Sequence, residues 1–475
     1  MRKATVNICQ LGLGFLLLFA AFNSANYIQG DVLEQLARQN STDESRKMDP
    51  AAGYYSLSII YAVFTCANLF STPIVHLLSP KWAMATGACA YLIFMLCFVL
   101  NVMEWSLYLS SAILGLGAAI LWTGQGTYLA QNSDSDSIGR NSAIVWSLLQ
   151  ISGIAGGVYL YAAFPADASA EIGQGVVRLV YGCFSLLCAL GIGTLALLRP
   201  AEQGKAATSA ERSNSVWRRV REDTVGMVKL LGERNLQLLL PTFLFSGAEL
   251  AYWSTVYGTA VVNTKLFHLP NNTFFAFNAL AIGLGHVTGG AIIGALGKRS
   301  STTGRGPIVA VGGLLHLIAF LLSFLFLPDH SPITVSFHPA FLSPTPSLVF
   351  GTSLLLGLAD TCWNTQIFSI LSDLWRQDPA PAFAQPSLVF GTSLLLGLAD
   401  TCWNTQIFSI LSDLWRQDPA PAFAQPSLVF GTSLLLGLAD TCWNTQIFSI
   451  LSDLWRQDPA PAFAQFKLWQ IGIME

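Results

Sequence analysis

The sequence predicts an all-α polytopic membrane protein, and three observations carry that prediction. First, 53% of the 475 residues are hydrophobic and only 11% are charged, against roughly 25% charged in a soluble globular domain. Second, the charges are clustered: residues 31–49 hold eight and residues 199–234 hold thirteen of the 51. Third, the chain between those clusters is a series of uncharged runs of 20 or more residues. Runs of that length cross about 30 Å of hydrocarbon as a helix, whereas a β-barrel would show alternating segments of about 10 residues. A soluble enzyme and a β-barrel are both excluded.

The spans follow in order. The first is expected at 6–28, kept as a signal anchor behind Arg2 and Lys3, because Val6–Ile28 is too long for a cleaved leader. Five more are expected at 52–78, 82–103, 105–130, 141–163 and 176–198, completing an N-terminal unit over 1–198. Residues 199–236 form a hydrophilic connection. Within it Trp217, Val220, Val228 and Leu231 share a helical face beside Arg218, Arg219, Arg221 and Lys229. That pattern suits either an amphipathic helix on the membrane surface or a solvated linker. Spans seven to nine are expected at 237–262, 273–297 and 306–327, within a unit over 237–345, and a tenth at 347–372.

With the N-terminus placed in the cytoplasm, fifteen Lys and Arg fall in cytoplasmic segments and five in outer loops. The sequons at Asn40 and Asn271 both land in outer loops, so these two asparagines are the expected glycosylation sites.

Residues 346–385 recur without one change at 386–425 and 426–465, and 466–475 would open an eleventh span. Each copy is one span plus one loop, so successive copies must cross the membrane in opposite directions with the same side chains. Repeats of about 40 residues normally diverge between copies and end in atypical caps. The threefold run over 346–465 is therefore expected to be a recent tandem duplication or a sequence-assembly artefact.

Ionisable and amide side chains inside spans are costly unless they face a cavity or a partner. Glu249, Trp253 and Tyr257 stand at i, i+4 and i+8 in the seventh span, and Asp360 and Asn364 at i and i+4 in the tenth. With Asn23 and Asn26 in the first span, Gln125 in the fourth and Gln150 in the fifth, they form the expected substrate-cavity set. Each of the amides also suits plain interhelical bonding. His286 and His316 are read as packing residues. The nine cysteines lie in apolar runs without metal-ligand spacing, and GALGKRS at 294–300 has the wrong spacing for a phosphate loop. No catalytic residue, metal or cofactor is expected, and scattered basic residues give no nucleic-acid surface.

SIIYAVFTCANL (58–69), AAILWTGQGTYL (118–129), SIGRNSAIVWSLLQIS (137–152), SGAELAYWSTVYG (246–258) and LGLADTCWNTQIFSIL (356–371) resemble the Unc-93-like branch of the major facilitator superfamily. The most distinctive piece is Ile138-Gly139-Arg140-Asn141-Ser142. The resemblance implies two six-helix halves, the C-terminal one incomplete here, and a multi-pass location. It implies either a secondary transporter of a small solute or an accessory protein bound to other membrane proteins such as ion channels and receptors. In a transporter, Glu249 or Asp360 is the expected coupling site, and a proton is one partner such a carboxylate could take. In the loop between spans two and three, HLLSPKWA (76–83) departs from the acidic-and-basic pattern common in the superfamily.

Overall fold

The computed structural model describes residues 2–39, 48–49, 52–100, 102–163, 174–200, 216–230, 232–266, 271–296, 305–328, 331, 335–337 and 340–385. The expected glycosylation site at Asn40 lies outside them, as do the second and third copies of the repeat. Six long helices come first: α1 (Arg2–Gln39), α2 (Ala52–Leu78), α3 (Pro80–Val99), α4 (Glu104–Gln131), α5 (Ile138–Ala163) and α6 (Gln174–Ala196). After them comes α7 (Val216–Leu230), then α8 (Arg234–Ala251), a π-helical turn (Tyr252–Val256) and α9 (Tyr257–Asn263). The remaining long helices are α10 (Asn271–Leu296), α11 (Gly306–Phe326) and α12 (Pro346–Leu374). Residues 379–385 are again helical. Asn271, the second sequon, opens α10.

Eight of the described helical segments are long and apolar enough to cross a membrane. They correspond to spans one to six, eight and nine. The seventh and tenth expected spans are helical but less apolar. The seventh is divided by the π-helical turn into α8 and α9. The tenth, α12, carries Asp360, Asn364, Gln366 and Asp373 along its length. The two helices that hold the intramembrane carboxylates are thus the two that depart from a plain apolar span.

Helix ends follow local chemistry. Pro346 occupies the first turn of α12, where its missing N–H costs nothing, and Thr345 Oγ1 accepts from Leu348 N at 3.4 Å. The distinctive Ile138–Ser142 segment builds the start of α5. Ile138 is buried, and Asn141 Nδ2 donates to Ser133 Oγ at 2.8 Å, tying α5 to the turn that precedes it. Val216–Leu230 of the hydrophilic connection form helix α7, packed against α2.

Helices α1–α6 pack on one another, α1 with α5 and α6, α4 with α2 and α3, and α3 with α6. Helix α12 packs against α10 and α11, and α5 against α10 joins the two groups. Interfaces between membrane helices rely on close backbone approach at small residues. A Cβ at Gly357 of α12 would run into the carbonyl oxygen of Ile282, and one at Gly285 of α10 into that of Leu354. Gly357→Ala is expected to lower stability by about 1–3 kcal/mol through overpacking. Gly351→Ala, in open space on the same helix, is expected to be neutral or stabilising by up to about 1 kcal/mol. Thermal unfolding of the two variants in detergent checks the contrast.

Candidate functional site

The polar groups that share an environment come from four helices. Glu249 lies near the end of α8, His286 on α10, His316 on α11 and Asp360 on α12. All four are at most 2% exposed. His286 Nε2 stands 2.8 Å from Asp360 Oδ2, and His316 Nε2 stands 3.0 Å from Glu249 Oε1. The second contact lacks hydrogen-bond alignment, and the Asp360 carboxyl is near enough to act on both Glu249 and His316. The four groups are therefore one electrostatic cluster. The reading of His286 and His316 as packing residues is corrected here: each imidazole faces a buried carboxylate.

Local structure explains the placement. The π-helical turn begins three residues after Glu249. A π turn holds an extra residue, so the simple i, i+4, i+8 arithmetic for Glu249, Trp253 and Tyr257 does not hold across it. Glu249 reaches α11, whereas Trp253 sets its ring 5.6 Å from His286 on α10, edge to face. Tyr257 is buried and donates its hydroxyl to the Val349 carbonyl at 2.7 Å, fixing α9 on α12. Phe245, Phe320 and Trp363 surround His316, with ring centroids 5.1, 5.8 and 6.2 Å away. This aromatic packing keeps the cluster dry, which strengthens every charge interaction inside it.

Asn364 connects the cluster to the junction between the helix groups. Its Nδ2 donates to Asp360 Oδ1 at 2.7 Å, and its Oδ1 accepts from Ser246 Oγ at 3.4 Å. Asn364 also lines a crevice with Gln125, Leu129, Ser142, Val145, Trp146, Thr365 and Phe368. The crevice has about 10 Å³ of free volume, the order of one water molecule. Gln125 is buried there, and its Oε1 has no hydrogen-bond partner among the described residues, like Ser142 Oγ and Trp146 Nε1. Unpaired polar groups lining a crevice between α4, α5 and α12 are groups that a polar solute or water could satisfy.

The other expected residues lie apart. Asn23 Nδ2 donates to Ser152 Oγ at 2.9 Å, joining α1 to α5. Asn26 is exposed on α1, and Gln150 is half-buried on α5. The Asn23 bond resembles the interhelical bonds that average about 0.6 kcal/mol in membrane proteins. Asn23→Ala should therefore cost about 1 kcal/mol or less in thermal unfolding and leave the His–carboxylate cluster intact. A larger loss would show that Asn23 does more than join two helices. No group of three or more His, Cys, Asp or Glu suited to a metal ion occurs among the described residues.

Sequence reasoning found Glu249, Asp360 and Asn364 but not the two imidazoles. A usable signal was present: two histidines and two carboxylates in four separate apolar spans, each costly alone, balance when paired.

Residues 44–388 match the family model described as "Ion channel regulatory protein UNC-93", and residues 385–426 and 424–473 match it again. The last two stretches fall on the second and third copies of the repeat. The chain is 33% identical over 396 residues to the UNC93-like protein MFSD11 of Xenopus tropicalis, covering 80% of this chain and 86% of that one. It is 24% identical to the protein unc-93 homolog A of Mus musculus, covering 81% and 84%. Among solved structures, a variant of the E. coli fucose:proton symporter FucP matches with a TM-score of 0.58 at 15% identity. That match covers 93% of this chain and 99% of that one. The nucleoside transporter NupG matches with a TM-score of 0.55 at 13% identity, covering 93% and 98%. The shared architecture is the fold of major facilitator superfamily transporters. By the family match over most of its length and by its relatives, this chain belongs to the UNC-93 family.

Proposed function

We propose that this protein is a secondary transporter of a small solute, working by alternating access between two helical halves, with the proton as its coupling ion. The halves are residues 1–198 and the helices from 237 onward, joined by 199–236 on the cytoplasmic side. Asn40 and Asn271 are outer-face glycosylation sites in this arrangement. The observation that carries the reading is the pair of buried imidazole–carboxylate contacts, linked through Asn364 to the crevice at Gln125.

Charge bookkeeping supplies the mechanism. Two ionised carboxylates with two neutral imidazoles would leave two uncompensated charges in a dry, low-dielectric site, at a cost of several kcal/mol per ion. Two protons shared among the four groups make the cluster neutral. Releasing them requires access to water, which an opening between the halves provides. A solute that bonds to Asn364 competes with the Asn364–Asp360 hydrogen bond and so changes how the Asp360 carboxyl is held in the cluster. Fucose and proton move together in a protein of the same fold, as the name of that symporter says, which supports the choice of ion. Gln125 and Trp253 complete the proposed cavity and its walls.

Uptake into proteoliposomes across a panel of sugars, nucleosides, amino acids and organic cations tests the proposal. Wild type is expected to accumulate at least one class only when a pH gradient is imposed, and Glu249→Gln is expected to lose that dependence. Absence of gradient-driven uptake across the panel would overturn it.

The description of the family as ion-channel regulatory favours a second reading, an accessory protein that binds another membrane protein. On that reading a membrane protein partner co-purifies through detergent exchange, and Glu249→Gln leaves its recovery unchanged.

A further inference from the structure

At the ends of α2, α4 and α12, contacts between distant parts of the chain tie separate segments together. The Arg376 guanidinium, just after α12, donates to Ser135 Oγ between α4 and α5 at 2.7 Å. Trp375 Nε1 donates to Glu233 Oε2 at 3.1 Å. Phe383 lies against Gly126 of α4 and stacks near Phe368. One side chain at this end meets two other segments at once. His76, in the last turn of α2, sets Nδ1 2.9 Å from Asp223 Oδ2 on α7 and Nε2 3.0 Å from Asp378 Oδ1 beyond α12.

We propose that His76, protonated on both ring nitrogens, is a pin that fastens helix α7 and the segment after α12 to the end of α2. A neutral imidazole has one N–H and one lone pair. It can therefore satisfy one of these carboxylates and must turn a lone pair toward the other. Only the imidazolium donates to both. The charged groups facing the ring are Asp223 from α7 and Asp378 from the segment after α12. Lys81 of the adjoining α3 sits 4.8 Å over the Trp82 ring, in a cation–π contact of its own.

Loss of the proton therefore turns a lone pair toward one carboxylate and removes the positive charge that attracts both, so both arms of the closure weaken. The arms differ in strength. Asp223 is 18% exposed and Asp378 57%, so the Asp378 arm is the more strongly screened by salt. The central connection, through Asp223, becomes part of the closure rather than a passive tether. This device stands whether closure gates a solute path or shapes a surface for a protein partner.

Hydrogen–deuterium exchange of the full chain in lipid nanodiscs, read by mass spectrometry in peptides covering 216–230 and 376–385, tests the pin. Rates are corrected for the intrinsic pH dependence of exchange. Between about pH 6 and about pH 10.5, an interval that runs from below the ordinary imidazole value to above the range that two facing carboxylates reach, wild type is expected to exchange at least about tenfold faster in both peptides. His76→Phe is expected to exchange fast at both pH values, and His76→Lys slowly at both, because an ammonium keeps its charge and several donors. Peptides from α4 should stay protected throughout. If α4 also loosens in His76→Phe, the wild-type and His76→Lys pH profiles decide the matter without it. Unchanged exchange in His76→Phe with α4 intact, loosening confined to one peptide, or a pH response that persists in His76→Lys would each overturn the proposal.

Discussion

Replacing His286 by leucine is expected to destabilise the protein by about 3–5 kcal/mol, the cost of leaving one member of a buried ion pair without its partner. That is a large share of the 5–15 kcal/mol that holds a typical domain folded. His286 is 1% exposed and stands 2.8 Å from Asp360 Oδ2. The other oxygen of that carboxylate, Oδ1, accepts from the uncharged amide of Asn364. Leucine offers no donor, and its removal of the ring also withdraws the contact with Trp253. The double variant His286→Leu with Asp360→Leu is expected to recover most of the loss, because replacing both partners by apolar groups removes the unpaired charge. Thermal unfolding of the two variants measures the difference. Equal midpoints for the single and double variants would show that the pair is not coupled.

The second large effect separates chemistry from stability. Asp360→Asn keeps the shape of the side chain and removes its charge. His286 then keeps an acceptor, the amide oxygen, so the loss of stability is expected to be smaller than for His286→Leu, about 1–3 kcal/mol. Proton-driven accumulation of solute is nevertheless expected to fall by a factor of about ten or more, since a step that depended on a carboxylate losing its proton is gone. Exchange of labelled for unlabelled solute, which needs no net proton movement, should survive. A variant that unfolds, or one that loses exchange and accumulation together, would make Asp360 a structural or solute-contacting group instead of the proton carrier.

These two variants differ because a buried pair can be altered from either side with opposite consequences, and neither side was equally legible in the sequence. Apolar runs located most of the long helices to within a few residues, as with 52–78 against Ala52–Leu78, while α1 continues to Gln39, eleven residues past its expected end at 28. Hydrophobic length is a local property, and a helix that must satisfy its own backbone in lipid shows it directly. Glu249 and Asp360 were legible for the same reason, as carboxylates where none is cheap. Their partners were not. His286 lies 74 residues from Asp360, and His316 lies 67 from Glu249. The pairing depends on which faces α10, α11 and α12 present to one another. Close approach at Gly285 and Gly357 decides part of that. The π-helical turn at Tyr252–Val256 was invisible too, because no residue in it is a helix breaker. It nevertheless sends Glu249 and Trp253 to different neighbours. Asn23 shows the reverse case: a conspicuous amide in a span, occupied in joining α1 to α5.

The His76 contact was the least legible of all. Its two carboxylates stand 147 and 302 residues away, one in a hydrophilic connection and one after the tenth span. Only the packing of α7 on α2 and the course of the chain after α12 bring them to one ring.

The most direct test of the central claim follows protons and solute together. Proteoliposomes holding a pH-sensitive dye are given a gradient of a solute that the uptake panel has identified, with no pH gradient imposed. The proton-coupled account predicts a change of internal pH that tracks solute movement, is lost in both Asp360→Asn and Glu249→Gln, and persists in Gly351→Ala. Solute movement with no accompanying pH change in the wild type would contradict it.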